Sequence, residues 1–181
     1  SGFVQNCNST PFTTTIGPDN PDESKYPRHM WGDPETGRAR ISRRILANKP
    51  KFSFEEWERA AFDTTAIEAE TAIPLLGAAY EELRKKDPAR AAKLAGPMEE
   101  LREWDHVGRF DSKAMTLFTL YFSKRVRQAR QYPEAIGALE SVIADLEKGY
   151  GTWQVPWGEI NRIQRRHTSG EEPFRDAEES Y

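Results

Sequence analysis

Apolar positions along this 181-residue chain fall into three regimes: a brief alternation at the start, a long stretch with few, and then recurrence at helical spacing. Phe3 to Gln5 read as a short strand, after which Asn6, Asn8, Ser9 and Thr10 precede Pro11. From residue 10 to residue 37 breakers dominate: Pro11, Gly17-Pro18, Asn20-Pro21, Pro27, Gly32, Asp33-Pro34 and Gly37. That stretch predicts a loop with no regular element, packed through Tyr26, Met30 and Trp31. A loop of this length is uncommon in a compact domain unless it is functional or leans on other structure.

Helical spacing begins at Arg38. Over 38–47, Ile41, Ile45 and Leu46 share a face among arginines, and Lys49-Pro50 ends the run. Ser53-Phe54-Glu55-Glu56 is a capping box, with Phe52 and Trp57 placed as a hydrophobic staple, and predicts a second helix to about residue 63. A third is expected over about 66–86, striped by Leu76, Tyr80 and Leu83, with Pro74 either kinking it or delaying its start. Asp87 and Pro88 read as cap and first turn of a short helix to Leu94, and Gly96-Pro97 as punctuation before another over 98–104. Asp111 is the expected cap of an amphipathic helix bearing Met115, Phe118, Phe122 and Val126, whose basic end suits the negative pole of a helix dipole. Tyr132-Pro133 opens the next, striped by Ile136, Leu139, Ile143 and Leu146 and stopped at Gly149.

The pattern divides the chain into 1–37, 38–150 and a tail over 151–181 holding Trp153, Pro156 and Trp157. It predicts a mainly α fragment with one short N-terminal strand. A single strand leaves backbone groups unpaired on both sides, so its sheet is expected in sequence outside this chain. Both ends read as cut, the last dozen residues having no turn or cap that would close a domain.

Composition narrows the function classes. With 37% hydrophobic and 30% charged residues the chain is polar, while five Trp, nine Phe and six Tyr argue against disorder. A net charge of −3 from 26 basic and 29 acidic side chains gives no global field toward nucleic acid or a membrane, and no apolar run reaches spanning length. No charged-then-apolar leader is expected from the residues at the start, and Cys7 is the sole cysteine, so no intrachain disulfide is expected.

Candidate chemistry concentrates at the two ends of the long loop. The amides and hydroxyls after Gln5 suit a place where negative charge develops, since an Asn side chain donates to an oxyanion without a full charge of its own; equally, Asn and Ser stop strands and start turns. Arg38, at the junction of loop and helix, is placed to reach back and hold a carbonyl or carboxylate. Arg40, Arg43 and Arg44 read as a solvated basic face. Cys7 reads as a small buried hydrophobe, and His29, His106 and His167 as loop or surface residues without metal-ligand spacing. Ser1 invites a role as an N-terminal nucleophile, but seven residues from Asn8 along one extended segment it is awkwardly placed to converge with it on one reacting atom.

The segment from Gly2 to Pro11, with its apolar pair, Asn6-Cys7-Asn8 and proline, resembles that of penicillin acylase family amidohydrolases. These N-terminal-nucleophile hydrolases include acyl-homoserine-lactone and lipopeptide acylases. Further likenesses follow in order: Tyr26-Pro27, Arg38 with Ile41 and Ile45-Leu46, Lys49-Pro50, Phe54 to Trp57, Leu101 to Asp105, and Trp153 through Arg162. The resemblance implies an interior part of the catalytic subunit of an αββα enzyme: 1–37 from its core, 38–150 helical, 151–181 returning toward the rest of that core. It implies an N-acyl amide substrate, the remaining α and β subunit sequence as partner, and a periplasmic or extracellular location. A serine beginning the catalytic subunit attacks the amide with its own α-amine as base; here that serine is expected outside the chain. Asn8 matches the oxyanion donor and Arg38 the supporting arginine, with Arg40 the alternative because of one extra residue before Lys49. No cofactor is implied; some members carry a structural calcium, to which no carboxylate here is matched. The competing expectation is a non-catalytic helical module that binds a partner through residues 54–150.

Overall fold

A computed structural model describes residues 2–131 and 134–162. It is mainly helical, and packs as two compact units whose division falls between Thr71 and Ala72.

In the first unit, residues 2–6 form no strand. The Gln5 N–H donates to the Thr14 carbonyl at 2.8 Å and its Nε2 to the Thr13 carbonyl at 3.0 Å. What faces this segment is a 3₁₀ turn over Pro11–Thr13 with its C-cap Thr14, which offer those acceptors but no regular row of them, so among the described residues the predicted strand at Phe3 to Gln5 has no ladder to join. The long loop contains three more such turns, Gly17–Asp19, Glu23–Lys25 and Arg28–Met30. Phe12 is its hub, with Trp31 edge-on at 5.0 Å and Tyr26 at 5.7 Å. Met30, expected as an anchor, is 64% exposed.

Helix α1 spans Gly37–Ala47, capped by the Thr36 hydroxyl, which accepts from the Ala39 N–H at 3.2 Å. Helix α2, Phe54–Ala61, begins with the reciprocal capping box of Ser53 and Glu56, and Phe52 meets Trp57 edge-on at 5.6 Å. Helix α3 runs Ala69–Lys86 with Pro74 inside it, so the proline neither ends the helix nor starts it.

The second unit holds α4 (Pro88–Ala92), α5 (Ala95–Glu103), α6 (Lys113–Arg127), α7 (Ala135–Tyr150) and α8 (Trp157–Ile160). Gly96 and Pro97 lie inside α5 rather than ahead of it; a proline in a first turn withholds an N–H that has no intrahelical partner there anyway. Helix α6 is central, packing against α5, α7 and α8. Its cap is Ser112, whose hydroxyl accepts from the Met115 N–H at 3.0 Å, and not its neighbour Asp111. The buried face also differs from the expected one. Ala114, Leu117, Phe118 and Tyr121 are inside, while Val126 is 60% exposed, because the seam is set by three neighbours and not by the widest apolar stripe. On α7, Ala138, Leu139, Val142 and Leu146 are buried. That helix runs past Gly149 and ends at Gly151, whose φ of 74° is the left-handed turn that glycine takes without a Cβ clash. The proposed opening at Tyr132-Pro133 lies outside the described residues, as do Ser1, His167 and the tail beyond Arg162.

Candidate functional site

The two sequence-predicted site residues come together in the first unit. Asn8 has a left-handed backbone, φ 53°, a conformation that asparagine tolerates better than most residues. Its N–H donates to the Asn6 side-chain oxygen at 2.9 Å, closing an Asx turn. Helix α1 supplies the other half. From its first turn, Arg38 Nη2 donates to the Asn8 Oδ1 at 3.0 Å and to the Cys7 carbonyl at 3.1 Å. The Thr36 hydroxyl donates to the same carbonyl at 3.4 Å.

A guanidinium has only donors, so its partner on Asn8 must be the oxygen. The carboxamide is thereby oriented, with Nδ2 turned away from Arg38 and without a partner among the described residues. Asn8 is exposed, so this pair of N–H donors faces accessible space. Chemically the arrangement is a neutral donor backed by a cation, suited to receiving an anionic oxygen.

Arg40 makes no such contact; two residues along a helix is about 200° around it, so Arg38 and Arg40 cannot share a target. Arg43 departs from the solvated face expected of it. Its Nη1 donates to the Thr13 carbonyl at 2.8 Å, its other nitrogen pairs with Glu35, and its side chain is only 16% exposed. Arg44 pairs with Glu70. Helix α1 thus grips the loop twice, through Arg38 at residues 7–8 and through Arg43 at residue 13. Gln5 Oε1, Ser9 Oγ and Thr13 Oγ1 are buried without a hydrogen-bond partner among the described residues.

Sequence reasoning gave no separate role to Asn6, did not single out Thr36, and read Arg43 as part of a solvated face. Asn6 carried a signal, since Asn two residues before a left-handed Asn is the Asx-turn pattern. Thr36 before Gly37 is an N-cap pattern. For Arg43 nothing local marks a partner thirty residues away.

Other candidates hold little chemistry. Cys7 is half-buried, not sealed in a core. His29 is exposed in a 3₁₀ turn, and His106 (φ 63°) stands edge-on to the Trp104 ring at 5.4 Å. Beside it, two hydrogen bonds from Arg109, aided by the Val107 N–H, lower the Asp105 pKa to about 2. In the second unit an open groove of about 1050 Å³, floored by Ile73, Ala91 and Met98, contains none of the predicted site residues. Among the described residues no group of three His, Cys, Asp or Glu is placed to hold a metal, and no helix is long and apolar enough to cross a membrane.

The family model described as penicillin amidase matches residues 1–179. No curated protein matches the chain.

Proposed function

Since the chain belongs to the penicillin amidase family, we propose that it supplies the oxyanion donor Asn8 and its supporting Arg38 to an acylase that hydrolyses the amide bond of an N-acyl substrate. The observation that carries this reading is the 3.0 Å bond from Arg38 Nη2 to Asn8 Oδ1, which turns the Asn8 Nδ2 outward as a donor.

In the proposed reaction a serine from outside residues 1–181 attacks the amide carbonyl, its own α-amine taking the hydroxyl proton. As the carbonyl carbon becomes tetrahedral, charge gathers on its oxygen. Asn8 Nδ2 donates to that oxygen, and the guanidinium behind Oδ1 polarises the carboxamide so that its N–H groups become better donors. Neither group loses or gains a proton. The donor acts more strongly on the oxyanion than on the neutral carbonyl, so its contribution appears in turnover rather than in substrate binding.

The acyl group and amine are open within the classes the family resemblance offers: penicillin-type amides, acyl-homoserine lactones and lipopeptides. The first would make the enzyme one of antibiotic metabolism and the second one of quorum quenching; either suits an exported, periplasmic or extracellular enzyme. Hydrolysis of a panel of these amides by the full-length processed protein distinguishes them. Asn8→Ala in that protein is expected to lower kcat about 10²–10³-fold, corresponding to about 2.7–4 kcal/mol, with KM changed little. Unchanged turnover removes Asn8 from the role.

A further inference from the structure

The Cys7 carbonyl and the Asn8 N–H belong to one planar peptide unit, and the structure holds that unit at both ends. Its oxygen accepts from Arg38 Nη2 at 3.1 Å and from the Thr36 hydroxyl at 3.4 Å. Its N–H, on the opposite edge, donates to the Asn6 Oδ1 at 2.9 Å. Peptide planarity makes these a two-ended clamp: with the plane fixed, only φ remains between it and the Asn8 Cα–Cβ bond.

We infer that Asn6 is a positioning residue, whose side-chain oxygen fixes the tilt of the Cys7–Asn8 peptide plane from which the Asn8 side chain departs, and so aims its carboxamide. This rests on the reading of Asn8 as oxyanion donor. Asn8 stands at φ 53°, and that angle sets the direction of its Cα–Cβ bond relative to the plane. Asn6 is exposed and its Nδ2 has no partner among the described residues, so its visible work is the one bond made by Oδ1. Once that bond is gone, the peptide can pivot about its carbonyl bonds, and any tilt of the plane is carried directly to the Asn8 Cα–Cβ bond. Gln5 and the carbonyl end of the peptide keep their own bonds, so the change is confined to this peptide and what it aims.

The test is made in the full-length processed enzyme, with kcat and KM measured for Asn6→Ala, Asn6→Ser, Asn8→Ala and the double variant Asn6→Ala/Asn8→Ala. Asn6→Ala is expected to lower kcat roughly 10- to 100-fold, the scale of an ångström-sized misplacement, with KM nearly unchanged. Asn6→Ser keeps a neutral acceptor that closes the same turn more weakly, and is expected to recover most of the loss. In the Asn8→Ala background, Asn6→Ala should cost nothing further, since there is no carboxamide left to aim. Wild-type kcat in Asn6→Ala, with Asn8→Ala impaired, overturns the positioning role and leaves the donor reading standing. An equal loss in both backgrounds also overturns it, by showing that Asn6 acts on something other than Asn8. Unchanged kcat in Asn8→Ala overturns both.

Discussion

Replacing Arg38 with glutamine removes a charge and the donor that orients Asn8 while keeping a side chain of similar reach. Two contributions set the expected effect. The first is orientation: three staggered χ1 wells and two amide faces give about six arrangements for Asn8, of which the bond from Arg38 at 3.0 Å selects one. Releasing that selection costs at most about sixfold, or about 1 kcal/mol. The second is charge. An oxyanion held by Asn8 Nδ2 lies roughly 7 Å from the guanidinium, where Coulomb attraction is about 0.6 kcal/mol in a water-like dielectric and about 2.4 kcal/mol at an effective dielectric of 20. Because Arg38 is exposed, a value near the lower end, about 1 kcal/mol, is appropriate. Together they give about 2 kcal/mol, so kcat for Arg38→Gln should fall about 30-fold, with KM within about threefold of the parent. The assay is initial-rate hydrolysis of an N-acyl amide by the processed enzyme, with Arg40→Gln as the matched control. If Arg38→Gln keeps its kcat while Arg40→Gln loses it, the orientation argument is wrong and the supporting arginine is the other one.

Two further outcomes follow from packing and charge in the second unit. Leu117→Ala, at a fully buried position of α6, should lower stability by about 2–5 kcal/mol, whereas Val126→Ala at a 60% exposed position should change it by less than about 0.5 kcal/mol; equal shifts in urea midpoint would contradict the buried face described. Asp105 has its pKa lowered to about 2 in the folded chain by Arg109, against about 3.9 unfolded, so it favours the folded state above pH 4 and that preference is lost as pH falls from about 4 to about 2. NMR titration of its carboxyl should show this depression, and Arg109→Met should return the midpoint toward 4; an Asp105 midpoint near 4 in the parent refutes the pairing.

What was legible in the sequence was what is short-range. The Ser53–Glu56 box, the Phe52–Trp57 staple and the Asp87 cap each join residues within five positions of one another, and their geometry follows from the helix itself. The family match was also legible, because the order of short segments from Gly2 to Arg162 needs no coordinates. What failed depended on partners elsewhere. Phe3 to Gln5 lacked a ladder; Asp111 and Ser112 are adjacent polar residues, and the chain's path chooses between them. The face of α6 is decided by α5, α7 and α8, none of which its own stripe encodes. In the candidate site the end residues Asn8 and Arg38 were named and the Asn6 turn is local, while the bonds from Thr36 to the Cys7 carbonyl and from Arg43 to the Thr13 carbonyl emerge only when the loop is closed over α1.

That closure makes α1 a lever. Both of its gripping arginines sit at the rim of the helix, about 6 Å from the axis once side chains are included. A roll of the helix by only 10° would therefore carry the Arg38 guanidinium about 1 Å, a displacement that can cost a reacting geometry two orders of magnitude. Arg43, bound to the Thr13 carbonyl five residues further along the same helix, resists that roll. With Asn8 as the proposed donor, its tolerance to error depends on how firmly a distant turn is tied down, and changes at Thr13 or Glu35 would register as lost precision at a residue they never touch.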